Sequence, residues 1–466
     1  MRLTKDAQLL LETLPNKEKI LSHLNTLNKV FITKQDVEAS LQAVSSEKIT
    51  PKTPEREAIE HVCAENITHK IEILQDSDIT GNSRATGRAE DFIAYFRDRF
   101  SKIKKIFVSR GINNIVKLTS LRQNEGKIVS CVCIVYDIRE SKKGNLIIEV
   151  EDEDGKGIVI IKKTDIENLP HLLHDDVILV TGKVFKEMII ADSIDFPDIN
   201  IYRDKLIVKE DFLIAYLSDL HFGSKKFLEK QLNAFTEWLK TTENGKKVAY
   251  IVIAGDIVDG IGIYPKQEQD LLVKDIEKQY LMFKEWCATI PDCIKIIAGP
   301  GNHDAVRRGE PQPQIPKDLM PKEAITISSP VSVKIHGIIH LIYHGTSMDS
   351  MISRIPKLTY QQPELCMKEY LKRRHLSPFY GDNLIIPEHK DYMAIEVIPD
   401  VFQTGHIHTN GYGKYRGCHM INSGTFQDRT DYQIQLGHYP TPAQVPIFCP
   451  ATDKVMQIDL MRGVNK

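Results

Sequence analysis

No two of the eight cysteines stand at C-x-x-C spacing, so the sequence signals neither a structural zinc site nor the disulfide framework of a small secreted domain. No uninterrupted apolar stretch reaches the about 18 residues that a membrane span needs, and the start, Met1-Arg2-Leu3-Thr4-Lys5-Asp6, lacks the apolar run of a signal peptide. A cytoplasmic protein is the expectation. An excess of one charge sign is also missing. A formal net charge of -2 over 466 residues excludes a chain that attracts phosphate backbones along its whole length, so any nucleic-acid contact has to be local or supplied by a partner. What is present is a globular composition, 42% apolar and 27% charged, which argues against disorder or a fibrous repeat. The length exceeds one ordinary hydrophobic core and implies two or three domains.

From Thr4 to about Val44, Leu9, Leu10, Ile20, Leu21, Leu24, Leu27, Val37 and Leu41 recur at helical spacing, broken by Pro15 and by a cap signal at Thr33. Residues 1–45 therefore read as a small helical module, either a dock for another protein or a structural extension. The stretch that follows has Thr-Pro pairs and the breaker-rich string Thr80-Gly81-Asn82-Ser83-Arg84-Ala85-Thr86-Gly87-Arg88. It reads as a linker, and a short helix carrying Phe92, Tyr95, Phe96, Arg99 and Ile103 completes the segment 46–105. Five apolar runs come next, Ile128–Tyr136, Leu146–Val150, Ile158–Ile161, Val177–Val184 and Met188–Ile190, separated by turn signals such as Lys143-Gly144-Asn145. Their count and spacing predict an OB-fold β-barrel over 106–205. Cys131 and Cys133, two apart on the first run, should share one buried face. Tyr136 and Phe185 are nearly the only rings here, so strand binding and a plain packing role both stay open. From Asp211 onward, within 206–466, strand-like runs alternate with helical patterns as in a layered α+β domain.

Five runs of this last region end in short polar clusters. Phe212–Leu217 ends in Ser218-Asp219-Leu220-His221, and Val248–Ala254 in Gly255-Asp256-Ile257-Val258-Asp259. Ile294–Ala298 ends in Gly299-Pro300-Gly301-Asn302-His303-Asp304, His340–Tyr343 in His344-Gly345, and Val401–Thr404 in Gly405-His406-Ile407-His408. The carboxyl ends of adjacent strands form the crevice where open sheets bind ligands, so the five clusters can meet at one spot. Carboxylate and imidazole together suit manganese, iron, cobalt or zinc, whereas calcium and magnesium favour oxygen alone. One carboxylate can also bridge two ions about 3.5–4 Å apart.

In D-x-H, G-D-x-x-D, G-N-H-D, H-G and G-H-x-H, the sequence resembles the calcineurin-like metallophosphoesterases. The resemblance implies a four-layer α+β domain with one ion held by Asp219, His221, Asp256 and His408, and a second held by Asp256, Asn302, His344 and His406. It assigns His303 as a catalytic histidine that is not a ligand. The implied reaction is in-line attack on phosphorus by a water that the two cations activate, with His303 serving the leaving oxygen and no covalent intermediate. Asp304 either orients His303 or caps the turn, and Asp259 supports its loop.

A narrower resemblance rests on Gly299–Pro313, Tyr343–Asp349, Gly405–Gly417 and Asn422–Gln427, which look like the small subunits of archaeal D-family DNA polymerases. That likeness implies a manganese-dependent 3′→5′ exonuclease, part of a DNA polymerase complex, proofreading DNA 3′ ends for a large catalytic subunit. Arg307 and Arg308 could grip flanking phosphates, and Tyr412, Tyr415 and Arg416 could stack on or steer a terminal base. The Pro-rich segment Tyr439–Pro446 could pack the barrel against the catalytic domain or face the large subunit. Two alternatives remain: a phosphatase of the same superfamily acting on phosphoproteins or small phosphoesters, and a non-catalytic assembly subunit.

Overall fold

The computed structural model describes residues 64–112, 115–200, 208–435 and 437–462, together with 2–3, 5–12, 20–21, 24, 31–38, 40 and 60–61. The chain forms two compact units, one made of 1–58, 96–204 and 372–374, the other of 59–95, 205–371 and 375–466. Among the described residues no helix is long and apolar enough to cross a membrane.

The first unit opens with the helix Lys5–Glu12 and a two-strand pairing of Arg2–Leu3 with Phe31–Ile32. Ala7, Leu11, Ile20, Leu24, Ile32 and Val37 are buried together. At the anticipated cap, the Thr33 amide and hydroxyl both donate to the Asp36 carboxylate, at 2.9 and 2.8 Å. Pro15, Leu27 and Leu41 lie outside the described residues, as do 46–59 of the stretch read as a linker.

The barrel of this unit is closed, with β1 (Ile128–Glu140), β2 (Leu146–Glu151), β3 (Lys156–Ile161), β4 (Val177–Phe185) and β5 (Met188–Asp195) in the order β1-β2-β3-β5-β4. Strand β1 pairs with both β2 and β4, and a register shift between Val135 and Asp137 bends it so that one strand serves two neighbours. Val129, Cys131, Cys133 and Val135 alternate into the core, so the two cysteines do share a buried face. The outward-facing Val132 is covered by Phe100, Ile103 and Phe107, along with Val177 and Leu179. Those rings belong to a helix that runs 21 residues, Ala89–Ser109, longer than the breaker-flanked sequence implies.

The second unit is built on two six-stranded sheets. One has β6 (Leu213–Leu217), β7 (Val248–Ala254), β8 (Lys295–Gly299) and β9 (Ile325–Thr326) in parallel, extended at the β6 edge by β15 (Gln444–Cys449) and β16 (Lys454–Asp459). The other runs β13 (Asn410–Tyr415), β14 (Cys418–Ser423), β12 (Val401–Thr404), β11 (Ile338–Ile342), β10 (Val331–Ile335) and the strand Ile71–Ile73, with β11, β12 and β14 parallel. Ile214, Tyr216 and Val252 meet Val333, Ile342 and Val401 in a shared core. The alternate residues Leu213, Ala215 and Leu217 pack with Phe235, Trp238, Phe283 and Trp286 of the helices Glu229–Thr241 and Ile276–Cys287. Burial on both faces is why these strands read as unbroken apolar runs.

Val445 and Pro446 of the Pro-rich segment enter β15 and pair with β16, a strand that the sequence reading did not place there. The breaker-rich string is also tied down: Ser83 Oγ and the amides of Arg84 and Ala85 donate to the buried Glu388 carboxylate at 2.6, 2.7 and 3.1 Å. A distant carboxylate thus helps to order this loop, which local periodicity cannot reveal.

Candidate metal centre

The carboxyl ends of β6, β7 and β8 in one sheet and of β11 and β12 in the other deliver all seven sequence-named donors to one place. Beneath them the buried Gln403 amide ties the sheets, donating from β12 to the carbonyls of Leu217 and Val252 at 3.0 and 3.1 Å. The turns are tight. A Cβ on Gly301 would lie 2.2 Å from Asp256 Oδ1, and one on Gly405 would lie 2.4 Å from Asp219 Oδ2, so both positions require glycine. Asp219, His221, Asp256, His406 and His408 all have φ between 49° and 68°. Asp and His tolerate this left-handed region better than most residues, and such conformations persist where the surrounding structure enforces them.

The donors form two sets. In the first, His221 Nε2 lies 3.0 Å from His408 Nε2, and His408 Nε2 lies 3.3 Å from Asp219 Oδ1. In the second, Asn302 Oδ1 lies 3.0 Å from His344 Nε2 and 3.1 Å from His406 Nδ1. Asp256 Oδ2 stands between the sets, 3.9 Å from His221 Nε2 and 3.3 Å from His344 Nε2.

Outer contacts fix which nitrogen of each ring faces inward. His221 Nδ1 meets Asp259 Oδ1 at 2.8 Å, His344 Nδ1 donates to the Ala254 carbonyl at 2.8 Å, and His406 Nε2 meets Asp349 Oδ2 at 2.9 Å. Nδ1 of His221 and of His344 and Nε2 of His406 are turned to those outer partners, so the other nitrogen of each ring faces the centre, as in metal-binding imidazoles. The side-chain amide of Gln433 holds His408 Nδ1 at 2.8 Å. The local field favours positive charge. Burial opposes protonation of His344, yet Asp256 beside it pushes the imidazole up to about 10. Burial likewise opposes ionisation of Asp256, yet His344 and His303 hold it well below the usual carboxylate range. Two imidazole nitrogens 3.0 Å apart, backed by carboxylates, are a donor set suited to a borderline divalent cation.

Residues 212–441 match the family model of the calcineurin-like phosphoesterases. The chain is 42% identical over 440 residues to the DNA polymerase II small subunit of Archaeoglobus fulgidus, covering 91% of this chain and 88% of that protein. It is 41% identical over 421 residues to the DNA polymerase II small subunit of Methanocaldococcus jannaschii, covering 86% and 71%. The chain belongs to the archaeal DNA polymerase II small-subunit family.

Its phosphoesterase domain implies divalent metal ions, and the donor chemistry above fits them. In this small-subunit family member, His303 lies beside the donors, with Nε2 3.9 Å from Asp256 Oδ2 and Nδ1 2.7 Å from the Asp259 carbonyl. Burial, more than any neighbour, moves its imidazole below the ordinary histidine value. Of the two readings of Asp304, turn capping holds: its carboxylate accepts from the Gly301 amide at 2.8 Å and from the Tyr280 hydroxyl at 2.9 Å. Burial first and Asp256 second push that carboxyl up to about 7.

The residues named for phosphate and base contacts are not gathered with the donors. Arg307 spends its guanidinium on the Pro311 carbonyl, Ser83 Oγ and Glu388 Oε1, the last two at 2.8 and 2.9 Å. Arg308 donates to the Gly262 carbonyl at 2.5 Å. The Tyr412 hydroxyl is 3.0 Å from His419 Nδ1, while Lys368 and Arg416 each lie 5.2 Å from the Tyr415 ring centre. These loop residues carry the right chemistry by type, but tertiary partners decide where it is used. A cleft of about 500 Å³ opens over the donors, and sequence reasoning missed several of its lining side chains, Tyr264, Tyr360, Gln433 and His438 among them. Asp349, the partner of His406, closes one of the strings behind the family resemblance, which is the one signal that could have flagged it.

Proposed function

We propose that this chain is a metal-dependent 3′→5′ exonuclease that proofreads DNA for a separate large catalytic polymerase subunit. The observation that carries the reading is the pair of donor sets sharing the Asp256 carboxylate at the floor of an open cleft, with His303 alongside. Asp219, His221, Asp256 and His408 would hold one divalent cation and Asp256, Asn302, His344 and His406 the other, with manganese the ion that the family resemblance implies and iron or zinc compatible with the same mixed donors. Bound there, the cations supply charge neutralisation at phosphorus and activation of water at neutral pH. The names of the relatives supply the polymerase setting and the large-subunit partner.

The residues then divide the remaining work. His303, anchored through Nδ1, turns Nε2 toward the donors; the negative charge of a bound phosphate raises its protonated fraction, and the imidazolium gives its Nε2 proton to the departing 3′ oxygen of the penultimate nucleotide. Asp259 holds His221 and, through its carbonyl, His303, so one loop fixes both a ligand and the acid. The phosphate leaves on the terminal nucleotide, and the product is a mononucleotide.

A 5′-labelled primer with a mismatched 3′ end, incubated with Mn2+ with and without the large subunit, tests this. Stepwise shortening is expected. His303→Ala should slow it by roughly 10²–10⁴-fold while manganese binding is kept. No shortening by the wild-type protein under either condition would refute the nuclease. Turnover of a phosphopeptide in its place would favour a phosphatase.

A further inference from the structure

One part of the cleft lining takes no part in holding cations. We propose that Tyr360 and His438 form a stacking platform for the base of the 3′-terminal nucleotide. This rests on the exonuclease reading and specifies how the end of the strand is seated. Both side chains line the cleft together with Asn302, His303, His406 and His408. Their rings lie face to face, 4.1 Å between centroids and 34° between planes, so one ring backs the other and a base can continue the stack on the pair's outer face.

Each ring is tied to the centre through one intermediary. Tyr360 hydrogen-bonds Asp349, and Asp349 holds His406 Nε2 at 2.9 Å. The His438 amide donates to the Gln433 carbonyl at 2.9 Å, and the Gln433 side chain holds His408. Tyr360 and His438 are therefore placed against the two histidines that β12 contributes, one from each donor set. A phosphate seated among those donors brings its attached nucleoside within reach of the rings. Stacking suits an editing subunit because every base has a π face, so the platform grips any terminal base without reading its identity. Substrates consisting of a bare phosphoryl group would have no use for it. Tyr412 and Tyr415, which the sequence offered for this role, are not among the cleft-lining residues.

The test compares kcat/KM of the full chain with Mn2+ on two oligonucleotides, one with an ordinary 3′ nucleotide and one whose last residue is abasic. The wild type should prefer the ordinary end by roughly tenfold, with little difference among the four bases. Tyr360→Ala and His438→Ala should each bring the ratio close to one, whereas Tyr360→Phe, which keeps the ring and loses the bond to Asp349, should retain the preference. A ratio cancels any general loss that passes through Asp349. An unchanged preference in both alanine variants overturns the platform. Fluorescence of a 3′-terminal 2-aminopurine, read without added metal, separates the two readings. Quenching that the alanine variants lose, with no nucleotide released from any DNA, would refute the nuclease and leave the platform standing. Nucleotide release without quenching would refute the platform alone.

Discussion

Asp259 shows how much of the centre depends on a side chain that no ligand pattern names as a donor. Its carboxylate accepts from His221 Nδ1 at 2.8 Å and from Gln427 Nε2 at 2.9 Å, so it fixes both the orientation and the tilt of the ring. Orienting partners of this kind typically contribute 10–100-fold to metal affinity. Asp259→Ala should therefore weaken manganese binding by about that factor in a calorimetric titration, with the folded signal unchanged; an unaltered affinity would show that His221 needs no such support. The donors themselves were legible because each follows directly on a strand end. Asp259 was legible only as a loop support, and Gln433 was not legible at all, since it reaches His408 across 25 positions of chain. Arg307 shows the same dependence on distant partners. A basic residue after the His303 turn is compatible with phosphate, but Glu388, 81 positions on, occupies it.

At the scale of elements, the parallel strands were readable because burial on both faces leaves unbroken apolar runs, and the barrel strands because turn signals punctuate them. The strand Gln444–Cys449 was hidden by the prolines around it, and the loop at Thr80–Arg88 by its composition. The middle of that loop is held by Glu388, which accepts from Ser83, Arg84, Ala85 and Arg307. Glu388→Ala leaves those donors unmatched and should cost about 2–3 kcal/mol of stability, read as a shift in the urea midpoint. The pH dependence has a definite sign. Burial would raise the Glu388 carboxyl, but the bonds from Ser83, Arg84 and Arg307 outweigh it and hold the folded value below the ordinary 4.5. A carboxyl depressed on folding stabilises the protein above its unfolded value and loses that contribution as pH falls through the folded one. The stability gap between wild type and Glu388→Ala should accordingly be full near neutrality and shrink on acidification below about 4.5. A gap independent of pH would mean that the carboxylate charge contributes nothing.

The phosphoesterase unit as a whole is held together at its cleft by five loops from two sheets, and they bring several like-charged or strained groups into one buried place. Asp219 and Asp256 lie side by side, two imidazole nitrogens face each other at 3.0 Å, and five of the seven donors have left-handed backbones. A cation that relieves this crowding binds the folded form and has no comparable site in the unfolded chain, so its binding free energy adds to stability. Manganese at a hundred times its dissociation constant should contribute about 2.7 kcal/mol per site, enough to raise the thermal midpoint by several degrees. The two tryptophans of the chain, Trp238 and Trp286, both lie in the core of this unit, so intrinsic fluorescence follows it selectively. In Asp256→Asn the shared oxygen becomes a neutral amide oxygen, and the two donor sets lose the negative charge of the carboxylate that stands between them. The manganese-induced rise should therefore shrink to a small fraction of the wild-type value. An equal rise in both proteins would place the stabilising cation away from Asp256 and break the link between the bridging carboxylate and the metal centre.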